Sequence, residues 1–216
     1  MTATEVWESL DEGWKASLEE AWISWCHGSA GVGAAVVDRH GAVVARDRNR
    51  RLDDWEPAAL SGSRIAHAEV CALASVRNDC FDDYTLYTTF EPCLMCASAI
   101  MICRVPRVRF AAADPVFDGM HDWFQTLPFA ALRLPERTCL GGPIGAFAHV
   151  LHLSWIAFWF PDGEAVEPHR NLAPRHLDLA SELVASSDLS AIAAGNGSVA
   201  TAIDALWPDL VTLGAS

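Results

Sequence analysis

Apolar positions fall into runs of two different periods along this chain. Trp7, Leu10, Trp14, Leu18, Ala21, Trp22 and Trp25 recur at spacings of three, four and seven, which predicts one amphipathic helix with its tryptophans packed in a core. Gly28 and Gly31 then break the pattern. Val32–Asp38 is rich in Val and Ala and predicts a buried strand, Arg39-His40-Gly41 a turn, and Ala42–Ala45 a second strand of an antiparallel hairpin. Arg46–Arg51 is locally basic with Asn49 in its middle, and Leu52–Arg64 reads as loop, with Pro57 and Gly62.

The helical period returns over Ile65–Asn78, where Val70, Leu73, Ala74 and Val76 make the core face. Tyr84–Thr89 alternates as a third strand and runs into Glu91-Pro92-Cys93, where a helix to about Cys103 begins, with Pro92 suited to its first turn. Arg107–Ala111 is the next strand and Arg137–Leu140 a final one. Between them, Asp114–Leu127 mixes Phe117, Asp118, Trp123 and Phe124 in an irregular run. That run reads either as a stacking platform for a flat ring or as a hydrophobic lid or subunit contact. Ile144–Phe160 predicts a strongly apolar helix, too short to be taken as a membrane span and interrupted by His149, His152 and Ser154. His149 and His152 are not read as metal ligands. Past Glu164, Pro168 and Pro174 bracket an expected linker, and Arg175–Ala185 and Val199–Leu206 read as short amphipathic helices separated by Gly195-Asn196-Gly197. The expected division is a domain over 1–163 and a helical extension over 164–216, packed on that domain or on a second subunit.

Composition narrows the function. About half of the 216 residues are apolar (51%), enough for a packed core. The net charge of −13 argues against a large nucleic-acid partner, because phosphate neutralisation supplies most of that affinity. Met1–Leu10 lacks the basic-then-apolar pattern of a secretory leader. Seven cysteines with no framework spacing suggest a reducing cytoplasm.

The chemistry concentrates in His67-Ala68-Glu69 and Pro92-Cys93-Leu94-Met95-Cys96. One imidazole and two thiolates spaced by two residues are a catalytic zinc ligand set, which keeps a fourth corner for water. Zinc brings that water near its deprotonation point at neutral pH. Glu69, two residues past His67, is placed to carry its proton to a leaving amine without binding the metal. Cys71, one turn past His67, is the candidate for a fourth protein ligand in a closed structural site; the reading preferred here is a buried core thiol.

These two motifs, with Val32-Gly33-Ala34-Ala35-Val36-Val37, Asn49-Arg50 and Thr89-Phe90-Glu91 leading into Pro92, resemble the cytidine deaminase-like superfamily over about Trp14–Asp114. Within it the likeness is to bacterial tRNA adenosine deaminases and guanine deaminases. The resemblance implies an α/β fold of three αβα layers around a mixed five-stranded sheet, usually in a homo-oligomer, here expected as a homodimer. It implies zinc on His67, Cys93 and Cys96, Glu69 as proton shuttle, and Asn49 as a substrate contact after the second strand. Trp123 and Asp118 are added as candidate substrate contacts. The apolar helix and acidic tail depart from the basic C-terminal helix of tRNA-editing members. The expected activity is therefore hydrolytic deamination of a small purine base, nucleoside or related amino-heterocycle, with nucleic acid disfavoured and no membrane partner. A tRNA adenosine-to-inosine deaminase is the first alternative, and a non-catalytic zinc scaffold the second.

Overall fold

A computed structural model describes residues 1–56, 60–76 and 81–215. The expected helix end at Asn78 and Pro57 of the expected loop lie outside the described residues.

The expected single N-terminal helix is two, α1 (Ala3–Ser9) and α2 (Glu12–Cys26). Leu10 leaves the helical region, and the Asp11 carboxylate accepts the Trp14 N–H at 3.1 Å, starting a new helix. A side chain that satisfies an otherwise orphaned first-turn amide outweighs continuity of the apolar stripe. The hairpin follows as β1 (Gly33–Val37) and β2 (Val43–Arg48), paired antiparallel. Then come α3 (Ala68–Ser75), β3 (Thr85–Phe90), α4 (Leu94–Cys103) and β4 (Arg107–Ala112). The irregular run holds a 3-10 turn (Pro115–Phe117) and α5 (Met120–Gln125), and α6 (Pro128–Ala131) follows it. β5 (Glu136–Cys139) and the long α7 (Gly142–Trp159) close the sheet-bearing part.

The sheet order is β2-β1-β3-β4-β5. β1 runs antiparallel to β2 and β3, while β3, β4 and β5 are parallel. Every residue of β1 and β3 is buried, which requires cover on both sheet faces, whereas the edge strands β2 and β5 keep exposed positions. α2 and α7 pack together and on the sheet, and α3 and α4 form a second pair, so the expected three-layer mixed α/β fold is present. The first layer is tight: a Cβ on Gly33 would lie 2.2 Å from the Ser17 carbonyl oxygen, so only glycine lets α2 approach β1 this closely.

The expected linker between Pro168 and Pro174 is largely α8 (Val166–Leu172). α9 (Pro174–Ser186), α10 (Asp188–Ala194), α11 (Val199–Ala205) and α12 (Trp207–Gly214) follow. Their apolar faces join the same buried cluster as the sheet, including Leu183, Leu189, Ile203 and Leu210. Trp22 Nε1–H donates to the Gly197 carbonyl at 2.9 Å, tying α2 to the loop before α11. Proline tolerated in a first turn explains why α8 and α9 survive their prolines. Among the described residues no helix is long and apolar enough to cross a membrane.

Candidate active site

Two helix starts build the metal-ligand cluster. His67 is the residue before α3 and Cys93 the residue before α4; both have extended backbone, and neither side chain caps its helix. Their donor atoms are thus free to point away from the helix ends. Pro92 precedes this cap, two residues before the first residue of the helix in which the sequence suggested it. Cys96 lies one turn inside α4 and is fully buried. His67 Nδ1 is 3.6 Å from Cys93 Sγ and 3.5 Å from Cys96 Sγ, and the three ligand atoms all lie within 4.8 Å of one another. Among the described residues this is the one such group. Cys71 is not part of it; burial pushes its thiol up to about 12, as befits an inert core residue.

The donor set suits zinc. The hydrogen bond with Cys96 holds the Cys93 thiol down to about 4, against burial and with help from His67. A thiolate at a helix N-terminus is a ready ligand. Cys96 is pushed up, first by its hydrogen bond with Cys93 and then by burial, so the two thiols share a proton that a cation would displace. One nitrogen and two sulfurs leave a tetrahedral ion one position short, the catalytic arrangement rather than the structural one.

Glu69 is 3% exposed and accepts a hydrogen bond from Cys96 Sγ at 3.4 Å. Burial first, and the Cys93 charge second, raise its pKa, which favours a carboxyl that carries a proton. It borders a cavity of about 590 Å3 together with His67, Cys93 and Asn49. Asn49 follows β2 and is buried; its Oδ1 accepts the Arg51 N–H at 3.1 Å, which leaves its amide nitrogen for the cavity. Ser24 Oγ donates to the Asn49 carbonyl at 2.8 Å and fixes that turn.

The structure does not bring Trp123 or Asp118 to this cavity. Asp114 Oδ1 accepts the Val116 N–H at 2.9 Å and winds the 3-10 turn so that Val116 and Phe117 form the wall instead. Gly119, at φ 74°, turns the chain away; Trp123 is then half-exposed on α5, against Phe124, and Asp118 borders a neighbouring cavity of about 350 Å3.

Several wall residues were given no substrate-binding role in the sequence. Asp114, Phe90, Trp155, Phe160 and Arg51 line the cavity, as do His152 and His169. Arg51 stands 5.8 Å from the Trp155 ring centroid and 5.9 Å from that of Phe160. Burial raises the Asp114 carboxyl to about 7. The available signal was a histidine inside an apolar helical run, a buried polar group in need of a partner.

The model of the zinc-binding region of cytidine and deoxycytidylate deaminases matches residues 8–112. A tRNA-specific adenosine deaminase of Rickettsia bellii is 32% identical over 100 residues, 46% of this chain and 68% of that relative. One from Streptococcus pyogenes serotype M1 is 32% identical over 115 residues, 51% of this chain and 63% of the relative. The structure of a guanine deaminase from Nitrosomonas europaea superposes with a TM-score of 0.54 at 20% identity, covering 69% of this chain and 85% of that one, a likeness of fold.

Proposed function

This chain belongs to the cytidine deaminase-like superfamily of zinc-binding deaminases, and on that premise we propose that it hydrolytically deaminates an aminated purine-type ring presented as a free base or nucleoside. The observation that carries the reading is the cavity over Glu69 and the ligand set, walled on its far side by the chain's own α7 and α8. His67, Cys93 and Cys96 would hold a zinc ion, which when bound would supply Lewis-acid activation of the water consumed in the reaction. Glu69 takes a proton from that water and returns it to the departing amine; a C–O bond forms, the C–N bond breaks and ammonia leaves. Asn49 orients the ring through its amide. Phe90, Trp155 and Phe117 supply apolar surface that excludes bulk water.

Charge supports a small, neutral substrate. Three of the four arginines in the locally basic run pair within the chain, Arg46 with Glu19 and Glu20, Arg48 with Asp53 and Arg50 with Asp47, while the fourth, Arg51, stands over the Trp155 and Phe160 rings. Few of these cations remain to meet a phosphate backbone.

Adenosine in tRNA is the second reading. The sequence relatives favour it more directly than the first, since those named act on tRNA. Ammonia release by zinc-loaded protein across purines, pyrimidines and their nucleosides tests the first reading. Release from tRNA alone, with an affinity that falls steeply with salt, would establish the second. The proposal includes a homodimer. Exposed Ile102, Trp123, Phe129 and Leu132 on or beside α4–α6 are apolar surface that a second copy would cover, which supports a subunit-contact role for Trp123. Sedimentation as a monomer at micromolar concentration would remove that part.

A further inference from the structure

α7 and α8 bring two histidines, His152 and His169, to the cavity; the zinc chemistry does not use them, and His149 of α7 and His176 of α9 pack behind them. His149 Nε2 and His169 Nδ1 are 3.0 Å apart in a buried hydrogen bond. His176 stacks on His149 with ring centroids 4.7 Å apart. His152 packs on the Phe90 ring at 4.5 Å, and both it and His169 line the cavity. Two of their ring nitrogens, His152 Nδ1 and His169 Nε2, are buried without a hydrogen-bond partner. His169 is wholly buried, and Asp114 Oδ1 stands 3.7 Å from its Nε2, beyond hydrogen-bond length.

Buried polar atoms are almost always paired, and an unpaired one in a cavity wall is a cost that a ligand removes. Nothing in the folding of α7 demands a histidine at 152: its neighbours Leu151, Leu153 and Ile156 are apolar and buried. Burial and the surrounding imidazoles keep both rings neutral. A neutral imidazole offers one donor and one acceptor, which suits the alternating edge of a heterocycle and not a phosphate. Asn49, from the turn after β2, lines the same cavity with a side-chain amide. Polar groups from separate elements, with Phe90 and Trp155 between them, match a flat ligand with polar atoms on more than one edge.

We propose that His152 is a specificity-determining residue that hydrogen-bonds the ring edge of a bound purine, giving this chain its own recognition wall, with His169 buried behind the cavity surface. The assignment rests on the deaminase reading of the cavity and adds a residue that selects the ring. Zinc-loaded wild type, His152→Phe and His152→Gln are titrated with adenine, guanine, adenosine and guanosine. His152→Phe should weaken binding of the preferred purine at least tenfold with zinc content and melting temperature unchanged, and His152→Gln should recover part of the loss. In wild type, the ring 15N shifts of His152 should move on adding that purine, a readout that needs no variant to fold. Equal affinities, or ring shifts that stay put while the purine binds, would overturn the proposal. So would failure of wild type to bind any of the four while releasing ammonia from a pyrimidine, an outcome that leaves the deaminase reading standing. Purine binding through His152 without ammonia from any amine would sink the catalytic reading alone.

Discussion

The part of the chain that ends with β4 and the part that follows it face each other across one cavity. The first contributes His67, Glu69, Cys93 and Asn49. The second contributes Asp114, Phe117, His152, Trp155 and His169. The family match stops at residue 112, between the two. The two walls follow different logic. The first is held by local rules: two helix starts, one of them fed directly by β3, and a cysteine pair whose spacing one turn dictates. The second is held by long-range packing of α7–α12 on the sheet, and its polar groups are scattered singly through apolar helices. Chemistry lies on one side and selection on the other, so substitutions should divide accordingly.

The largest effect is expected on the first wall. Glu69→Ala should lower kcat by about a thousandfold, within the range for a lost general acid–base, while zinc content stays near one per chain. Full turnover in that variant would erase the distinction between the walls. Cys96→Ala should instead lower the metal content itself, read by atomic absorption after dialysis; unchanged zinc would remove Cys96 from the ligand set.

Next comes the packing of the second wall. Leu210 of α12 is fully buried, and Leu210→Ala should cost roughly 2–5 kcal/mol by chemical denaturation. A loss well under 1 kcal/mol would mean that α12 is dispensable and that the far wall stands without it.

A smaller effect, graded with pH, should come from the histidines. Burial holds His149 at about 2 and His169 at about 4, with neighbouring imidazoles adding to the shift. Both pKa values are depressed from the ordinary 6.5, so above pH 6.5 both rings are neutral in either state and their contribution is intact. As pH falls below 6.5 the unfolded chain gains protons that the folded one refuses. Stability then drops, by up to about 1.4 kcal/mol per pH unit for each ring, until the folded pKa is reached. Melting temperatures from pH 7 to 5 should fall, and less steeply in His149→Gln; identical slopes would place the acid sensitivity elsewhere. The smallest effect belongs to Arg46→Ala, whose guanidinium is half-exposed where it meets Glu19 and Glu20, so that the loss should stay at about 1 kcal/mol or below, the surface-pair range.

Sequence determined much of the first wall directly. HxE and PCxxC place three ligands and a carboxylate through spacing alone, and alternating strands with intervening helices lead to the mixed sheet. These features are local, and a period or a motif records them within ten residues or so. Even here tertiary detail corrected the reading: Asp11 splits the first helix, and Pro92 stands outside α4. Whether Trp123 or Phe117 meets the cavity was decided by an Asp114 cap and a left-handed Gly119, and the sequence marked neither as a change of direction. His152 and His169 are seventeen residues apart, and they meet one cavity only because α7 and α8 fold back over β3 and the 3-10 turn. A histidine in an apolar helix tells that a polar group is buried. Only the folded chain, where distant elements converge, tells what it is buried against.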